Sequence, residues 1–205
     1  MKIKVCGMKH PTNMQDVAFL KPNYLGFIFF EQSPRFMKET LSRDNLKNIP
    51  SEIKKIGVFV NHSEEEIAER LVAYQLDGIQ LHGDESPEFC RKFYGSGLEV
   101  IKVFRVGDDF DFSVLKKYIS VVDYFLFDTK GKNYGGNGVA FDWEILKKYP
   151  YSVPFFLSGG IQPNDGSIIK KLKLPQLYAI DINSGFEEEP GLKNIPLLHQ
   201  FLKEL

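Results

Sequence analysis

Short apolar runs rich in β-branched and aromatic residues recur along the chain, and each is followed by a stretch with helical periodicity. Strands are expected to start near Lys2, Tyr24, Lys55, Asp77, Leu98, Val122, Val153 and Leu177, between 21 and 31 residues apart. Eight strands alternating with helices imply parallel β-α units. Local chemistry marks the helices. Ser63-Glu64-Glu65-Glu66 is a capping box with acids at the positive end of the helix dipole, and Ile67, Leu71, Val72 and Tyr74 follow at helical spacing. Ser86-Pro87-Glu88 and Gln162-Pro163-Asn164 each put proline near a helix start.

These units predict an α/β fold, a single-domain (β/α)8 TIM barrel over residues 1–205. An open doubly wound sheet would need a nucleotide loop after the first strand. The turn there, Cys6-Gly7-Met8-Lys9, has neither G-x-G-x-x-G nor G-x-x-x-x-G-K. In a barrel the chemistry belongs at the C-terminal strand ends.

Composition narrows the function classes. The 205 residues carry 26 basic and 27 acidic side chains, a net charge of −1, which argues against a nucleic-acid surface. The longest apolar stretch, Tyr24 to Phe30, is far short of the ~20 residues that cross a bilayer. Lys2-Ile3-Lys4-Val5 reads as a strand rather than a secretory signal. Two cysteines, Cys6 and Cys90, form no disulfide framework and fit a reducing cytoplasm. The 18 phenylalanines suit a barrel core as well as an interface, so a monomer or a homodimer is compatible.

Strand alternation puts Lys4 and Cys6 together on the interior face, with Ile3 and Val5 toward the helices. The Lys4 ammonium is expected to favour the Cys6 thiolate, and a structural cysteine is the alternative. Cys90, in a helix starting near Ser86, reads as structural. The sixth strand is apolar until it stops at Asp128, a carboxyl at the barrel mouth that suits a general acid or a turn. Gly135-Gly136-Asn137-Gly138 follows, as a mobile lid or a plain turn.

Ser158-Gly159-Gly160 and Asn183-Ser184-Gly185 close the seventh and eighth strands, where barrels hold phosphate on backbone amides. Arg35, after the second strand, offers a planar fork for a carboxylate or phosphate. Gln80 and His82 share a face at the end of the fourth strand. The four histidines lack metal-ligand spacing, so no metal site is expected. Glu187-Glu188-Glu189 reads as solvated acid.

Taken together, Lys2 to Gly7, Ser33-Pro34-Arg35, Gly57-Val58-Phe59-Val60-Asn61, Gln80-Leu81-His82-Gly83, Phe127-Asp128, Gly135 to Gly138 leading to Phe141-Asp142-Trp143, Leu157 to Gly160, and Asp181 to Gly185 resemble phosphoribosylanthranilate isomerase of tryptophan biosynthesis. Asn137 departs from the threonine common in that glycine-rich loop, and Lys193-Asn194 from the usual lysine-aspartate. The resemblance implies a cofactor-free, metal-free Amadori rearrangement of N-(5′-phosphoribosyl)anthranilate. It implies Asp128 as general acid and Cys6 as general base. Arg35 would bind the anthranilate carboxylate and Asp181 the ribose hydroxyls. Lys4, Gln80 and His82, read from their places at the strand ends, are expected to bind substrate as well. Gly159, Gly160, Ser184 and Gly185 would hold phosphate.

Two other barrel isomerase classes fit less well. A twofold-symmetric sugar-phosphate isomerase would carry a second Ser-Gly-Gly after the third strand, where Val60-Asn61-His62 stands. A ribulose-phosphate epimerase would carry a metal-ligand set. A catalytically silent phosphate-binding barrel would have lost Cys6 or Asp128.

Overall fold

A strand buried on both sides needs apolar residues at nearly every position, and that is how these runs are used. A computed structural model describes residues 1–37, 40–129 and 141–205. Its parallel strands are β1 Lys2–Val5, β2 Tyr24–Ile28, β3 Lys54–Phe59, β4 Gly78–Leu81, β5 Glu99–Val106, β6 Tyr124–Thr129, β7 Phe155–Leu157 and β8 Leu177–Ile182. They close into a barrel in chain order, β8 pairing back onto β1. Every strand starts within two residues of its expected place.

The two faces of the strands build two cores. Outward residues such as Val5, Phe27, Phe127 and Ile180 pack with the helices in the larger one. Inward residues Tyr24, Ile56, Ile101, Val103, Leu126, Phe156 and Ala179 fill the barrel. The interior is layered. Its floor is polar and aromatic, with Lys2 Nζ donating to the Tyr178 hydroxyl at 2.6 Å and Tyr24 and Tyr178 hydroxyls 3.1 Å apart. Above it lies the apolar layer, and on top the buried polar residues Lys4, Gln80, Asp128 and Asp181. Alternation along strands that all point the same way forces this order.

The helices are α1 Pro11–Phe19, α2 Arg43–Lys47, α3 Glu64–Tyr74, α4 Pro87–Arg91, α5 Gly166–Lys171 and α6 Ile195–Glu204. Among the described residues, the connections after β5 and β6 carry 3₁₀ turns rather than α-helices, Phe112–Tyr118 and Trp143–Lys148. Such economy suits a barrel near the lower size limit of about 200 residues. The Ser63 capping box forms as expected, and Ser86 caps α4 with Pro87 in its first turn. Within α3, Ile67 is buried and Leu71 and Tyr74 pack on the core, but Val72 is 77% exposed on the outer side.

One helix start differs from expectation. Gln162-Pro163-Asn164 is a turn closed by the Gln162 amide donating to Asp165 Oδ2 at 2.7 Å, and α5 begins only at Gly166. The aspartate side chain captures the amide before a helix can. The Gly135 to Gly138 segment lies outside the described residues. Among the described residues no helix is long and apolar enough to cross a membrane.

Candidate active site

Lys4 and Asp181 pair across the β1–β8 seam, Nζ to Oδ1 at 2.9 Å, with 0% and 5% of their side chains exposed. Burial opposes the Lys4 charge, but Asp181 and Cys6 hold it above the ordinary lysine range. Burial pushes the Asp181 carboxyl up, with Lys4 opposing. Cys6 follows Lys4 on the same face and is buried. Gly26 on β2 makes room for both: a Cβ there would meet Cys6 Sγ at 2.6 Å and Lys4 Nζ at 3.1 Å.

The expected lowering of the Cys6 thiol is not what this environment produces. Burial pushes the thiol up and outweighs the opposing charges of Lys4 and Lys193. Taking a thiolate out of water costs more than one nearby ammonium, itself committed to Asp181, returns. Cys90 is structural, as expected, with burial raising its thiol to about 12.

Across the interior, Asp128 Oδ1 accepts from the Thr129 amide at 2.9 Å, and Oδ2 stands 3.3 Å from His82 Nε2 without hydrogen-bond alignment. Gln80 Nε2 lies 3.1 Å from His82 Nδ1. With the amide so oriented Gln80 donates, leaving the imidazole hydrogen on the nitrogen that faces Asp128. Among the described residues, Gln80 Oε1, His82 Nε2 and Thr129 Oγ1 are buried here without hydrogen-bond partners. Each such orphan costs ~1–3 kcal/mol, which a ligand bonding to it would recover.

His82 is fixed from behind by a residue that sequence reasoning missed. Lys102 faces the helices, and its Nζ donates to the carbonyls of Leu81 at 3.2 Å and Gly83 at 2.7 Å, the two that bracket His82. It also meets Glu85 Oε2 at 3.0 Å, with both side chains 3% exposed. Glu85 Oε1 accepts from the amides of Asn61 and Gly83 at 2.9 and 3.1 Å.

The two small-residue turns meet at the mouth. Gly159 and Gly160 have φ of +86° and +70°, which L side chains rarely adopt. A Cβ on Gly159 would also sit 2.5 Å from the Thr129 nitrogen and 3.0 Å from Asp128 Oδ1, placing this turn beside the carboxyl. Ser184 and Gly185 open the 3₁₀ turn Ser184–Phe186, and a Cβ on Gly185 would meet the Ile161 carbonyl at 2.4 Å. Among the described residues no protein acceptor takes the amide hydrogens of Gly159, Gly160, Ser184 or Gly185. Four such amides in one concavity make an anion cradle.

Arg35 reaches the mouth, but its guanidinium is already engaged. Nε donates to both Glu187 oxygens at 2.9 and 3.0 Å, and Nη2 donates to Oε2 at 2.6 Å. Glu187 is therefore not a solvated acid. Its side chain is 4% exposed and also receives Lys193 Nζ at 2.6 Å. Burial works against the Glu187 charge, but Arg35 and Lys193 together hold its carboxyl below the usual range. Glu188 and Glu189 are exposed, as expected. Lys193 is wholly buried, also donates to Asn183 Oδ1 at 2.7 Å, and is lowered by burial to about 8. No periodicity signals these residues, because Glu187 and Lys193 lie in the short hairpin of β9 Glu187–Glu189 and β10 Leu192–Lys193. Asn194 caps α6, so that departure changes only a helix start. Among the described residues no three His, Cys, Asp or Glu are grouped to hold a metal ion.

The whole chain has close relatives. The family model for N-(5'phosphoribosyl)anthranilate (PRA) isomerase matches residues 3–204. A Parabacteroides distasonis N-(5'-phosphoribosyl)anthranilate isomerase is 46% identical, over 100% of this chain and 93% of the relative. The Phocaeicola vulgatus protein of that name is 43% identical, over 100% and 98%. The Thermotoga maritima phosphoribosyl anthranilate isomerase crystal structure superposes with a TM-score of 0.82 at 30% identity, covering 100% and 98%. A phosphoribosyl anthranilate isomerase in complex with reduced 1-(o-carboxyphenylamino)-1-deoxyribulose 5-phosphate has a TM-score of 0.79 at 27% identity, covering 100% and 97%. The chain belongs to the phosphoribosylanthranilate isomerase family.

Proposed function

We propose that this chain converts N-(5′-phosphoribosyl)anthranilate to 1-(o-carboxyphenylamino)-1-deoxyribulose 5-phosphate, an aldose–ketose isomerisation of tryptophan biosynthesis, with Asp128 as general acid and Cys6 as general base. The observation that carries the assignment of roles is that both side chains border one buried ion pair. Lys4 opposes the burial-driven rise of the Cys6 thiol, and Asp128 adds to the burial-driven rise of the Asp181 carboxyl. On this reading the two groups act on neighbouring atoms of one bound sugar.

Asp128 delivers its proton to the furanose ring oxygen as the C1′–O bond breaks, and the anthranilate nitrogen lone pair forms the Schiff base. The Cys6 thiolate then removes the C2′ proton, and that electron pair moves toward nitrogen to give the enolamine. Tautomerisation puts a proton on C1′ and leaves the ketone at C2′. Asp181 accepts from ribose hydroxyls. Lys4 and Gln80, at 0% and 1% exposure, act from below by orienting Asp181 and His82. The four turn amides hold the phosphate beside Asp128. Arg35 meets the anthranilate carboxylate.

The decisive assay generates the substrate in situ and follows loss of anthranilate fluorescence. Turnover is expected. Phosphate-ester binding without turnover would replace this reading with a silent, ligand-sensing barrel.

Two further outcomes follow from the geometry. Arg35→Met should chiefly raise KM, roughly tenfold to a hundredfold, by losing a charge-assisted pair of ~1.5–3 kcal/mol. An unchanged KM would place the carboxylate elsewhere. The raised Cys6 thiol sets the pH dependence. A base must be deprotonated, so raising its pKa moves the rising limb of kcat to higher pH. The midpoint should therefore lie above the ordinary thiol value of ~8.5. A kcat already at its plateau by pH 7 would remove Cys6 as the base.

A further inference from the structure

Arg35 and Glu187 are 152 residues apart in the chain and face each other through a side-on pair. An arginine has five donors, and Glu187 occupies the edge formed by Nε and Nη2. The edge bearing Nη1 is the one on which a second carboxylate can then be bound. Glu187 is itself held from the opposite side. Lys193 Nζ and the Gly191 amide donate to Oε1 at 2.6 and 3.0 Å. Their hairpin is fastened to α1 by a reciprocal pair, Asn13 Nδ2 to the Lys193 carbonyl and the Lys193 amide to Asn13 Oδ1, both 2.8 Å.

Arg35 is placed against the turn that follows the candidate base. A Cβ on Gly7 would meet Arg35 Cδ and Asn183 Oδ1, each at 2.8 Å. The Arg35 stem thus passes over Gly7, the residue next to Cys6, and its guanidinium is held by an acid that follows β8, the other neighbour of β1. A loose arginine would have to give up its rotamer freedom on binding, and one already oriented does not.

We propose that Glu187 is a positioning residue for substrate recognition: it clamps one edge of Arg35 so that the other edge meets the aromatic carboxylate of the substrate. The proposal rests on the reading that Arg35 binds that carboxylate. A carboxylate clamping an arginine for a second carboxylate has a distinctive consequence. Removing the clamp weakens ground-state and transition-state binding alike, so it acts on KM and leaves kcat nearly alone.

The test is a cycle of Glu187→Gln, Arg35→Met and the double variant, with kcat, KM and thermal unfolding measured on each. Glu187→Gln is expected to raise KM about tenfold with kcat changed less than about twofold, and to add nothing further in the Arg35→Met background. If Glu187→Gln leaves Lys193 as a buried unpaired charge and fails to fold, Glu187→Gln with Lys193→Met removes both charges and is judged by the same KM. A drop in Tm with unchanged KM would reduce Glu187 to a hairpin staple and overturn the proposal. A lowered KM would overturn it too, making Glu187 a competitor for Arg35. If Arg35→Met itself leaves KM unchanged, the carboxylate reading falls and takes the proposal with it. If only Glu187→Gln does so, the positioning role alone fails.

Discussion

Replacing Asp128 with asparagine is expected to lower kcat by at least ~10², the usual scale for a general acid, with the fold intact. Asparagine keeps the size of the side chain, and its carbonyl can still accept the Thr129 amide that Oδ1 accepts now. What it lacks is a proton to give to the ring oxygen. The contact with His82 at 3.3 Å is not an aligned hydrogen bond, so little binding geometry is lost with the carboxyl. Cys6→Ala should cost at least as much at the second step, because nothing else on β1 can remove the C2′ proton. Lys4, the nearest basic group, is held protonated above its ordinary range and is tied to Asp181. A loss of 10² corresponds to about 2.7 kcal/mol of transition-state stabilisation. The fluorescence assay gives kcat directly, and near-normal turnover in both variants would remove this pair from the mechanism.

Lys102→Met is expected to be strongly destabilising. It would leave the Glu85 carboxylate 3% exposed with no cation, and breaking a buried pair in this way typically costs ~3–5 kcal/mol. It would also strip a donor from the Leu81 and Gly83 carbonyls. At roughly 2–4 °C per kcal/mol for a chain of this size, Tm should fall by roughly 6–20 °C in a thermal scan. The companion variant separates charge from hydrogen bonding. Adding Glu85→Gln removes the buried charge yet keeps Oε1 as acceptor for the Asn61 and Gly83 amides, so most of the loss should return. A loss below ~1 kcal/mol for Lys102→Met would mean that water reaches Glu85 and that the pair does not fix the loop carrying His82.

Much of the candidate site was legible in the sequence because its signals are local. Asp128 follows the apolar run Phe125-Leu126-Phe127 of β6, Cys6 falls on the Lys4 face beyond β1, and the small residues of two turns stand where a barrel puts them. Glu187 was misread for the same reason. A run of three glutamates looks solvated until Arg35 and Lys193, from other parts of the chain, are brought against the first of them. Lys102 carried no signal either, since an alternating strand predicts only which side it faces. The direction of the Cys6 shift reversed because burial and the Lys4–Asp181 pairing are properties of the assembled interior.

Eight β-α units, the strand ends where chemistry collects, and the family are all legible in the order of residues alone. Period-two alternation, caps and turn residues act over a few neighbours, so they can be read in order along the chain. Which charges are paired, which are buried, and that Gly26 leaves the space filled by Cys6 and Lys4 emerge only in the assembled fold. Those outcomes depend on residues from distant segments sharing one dry interior, where the loss of water sets the energy of every charge.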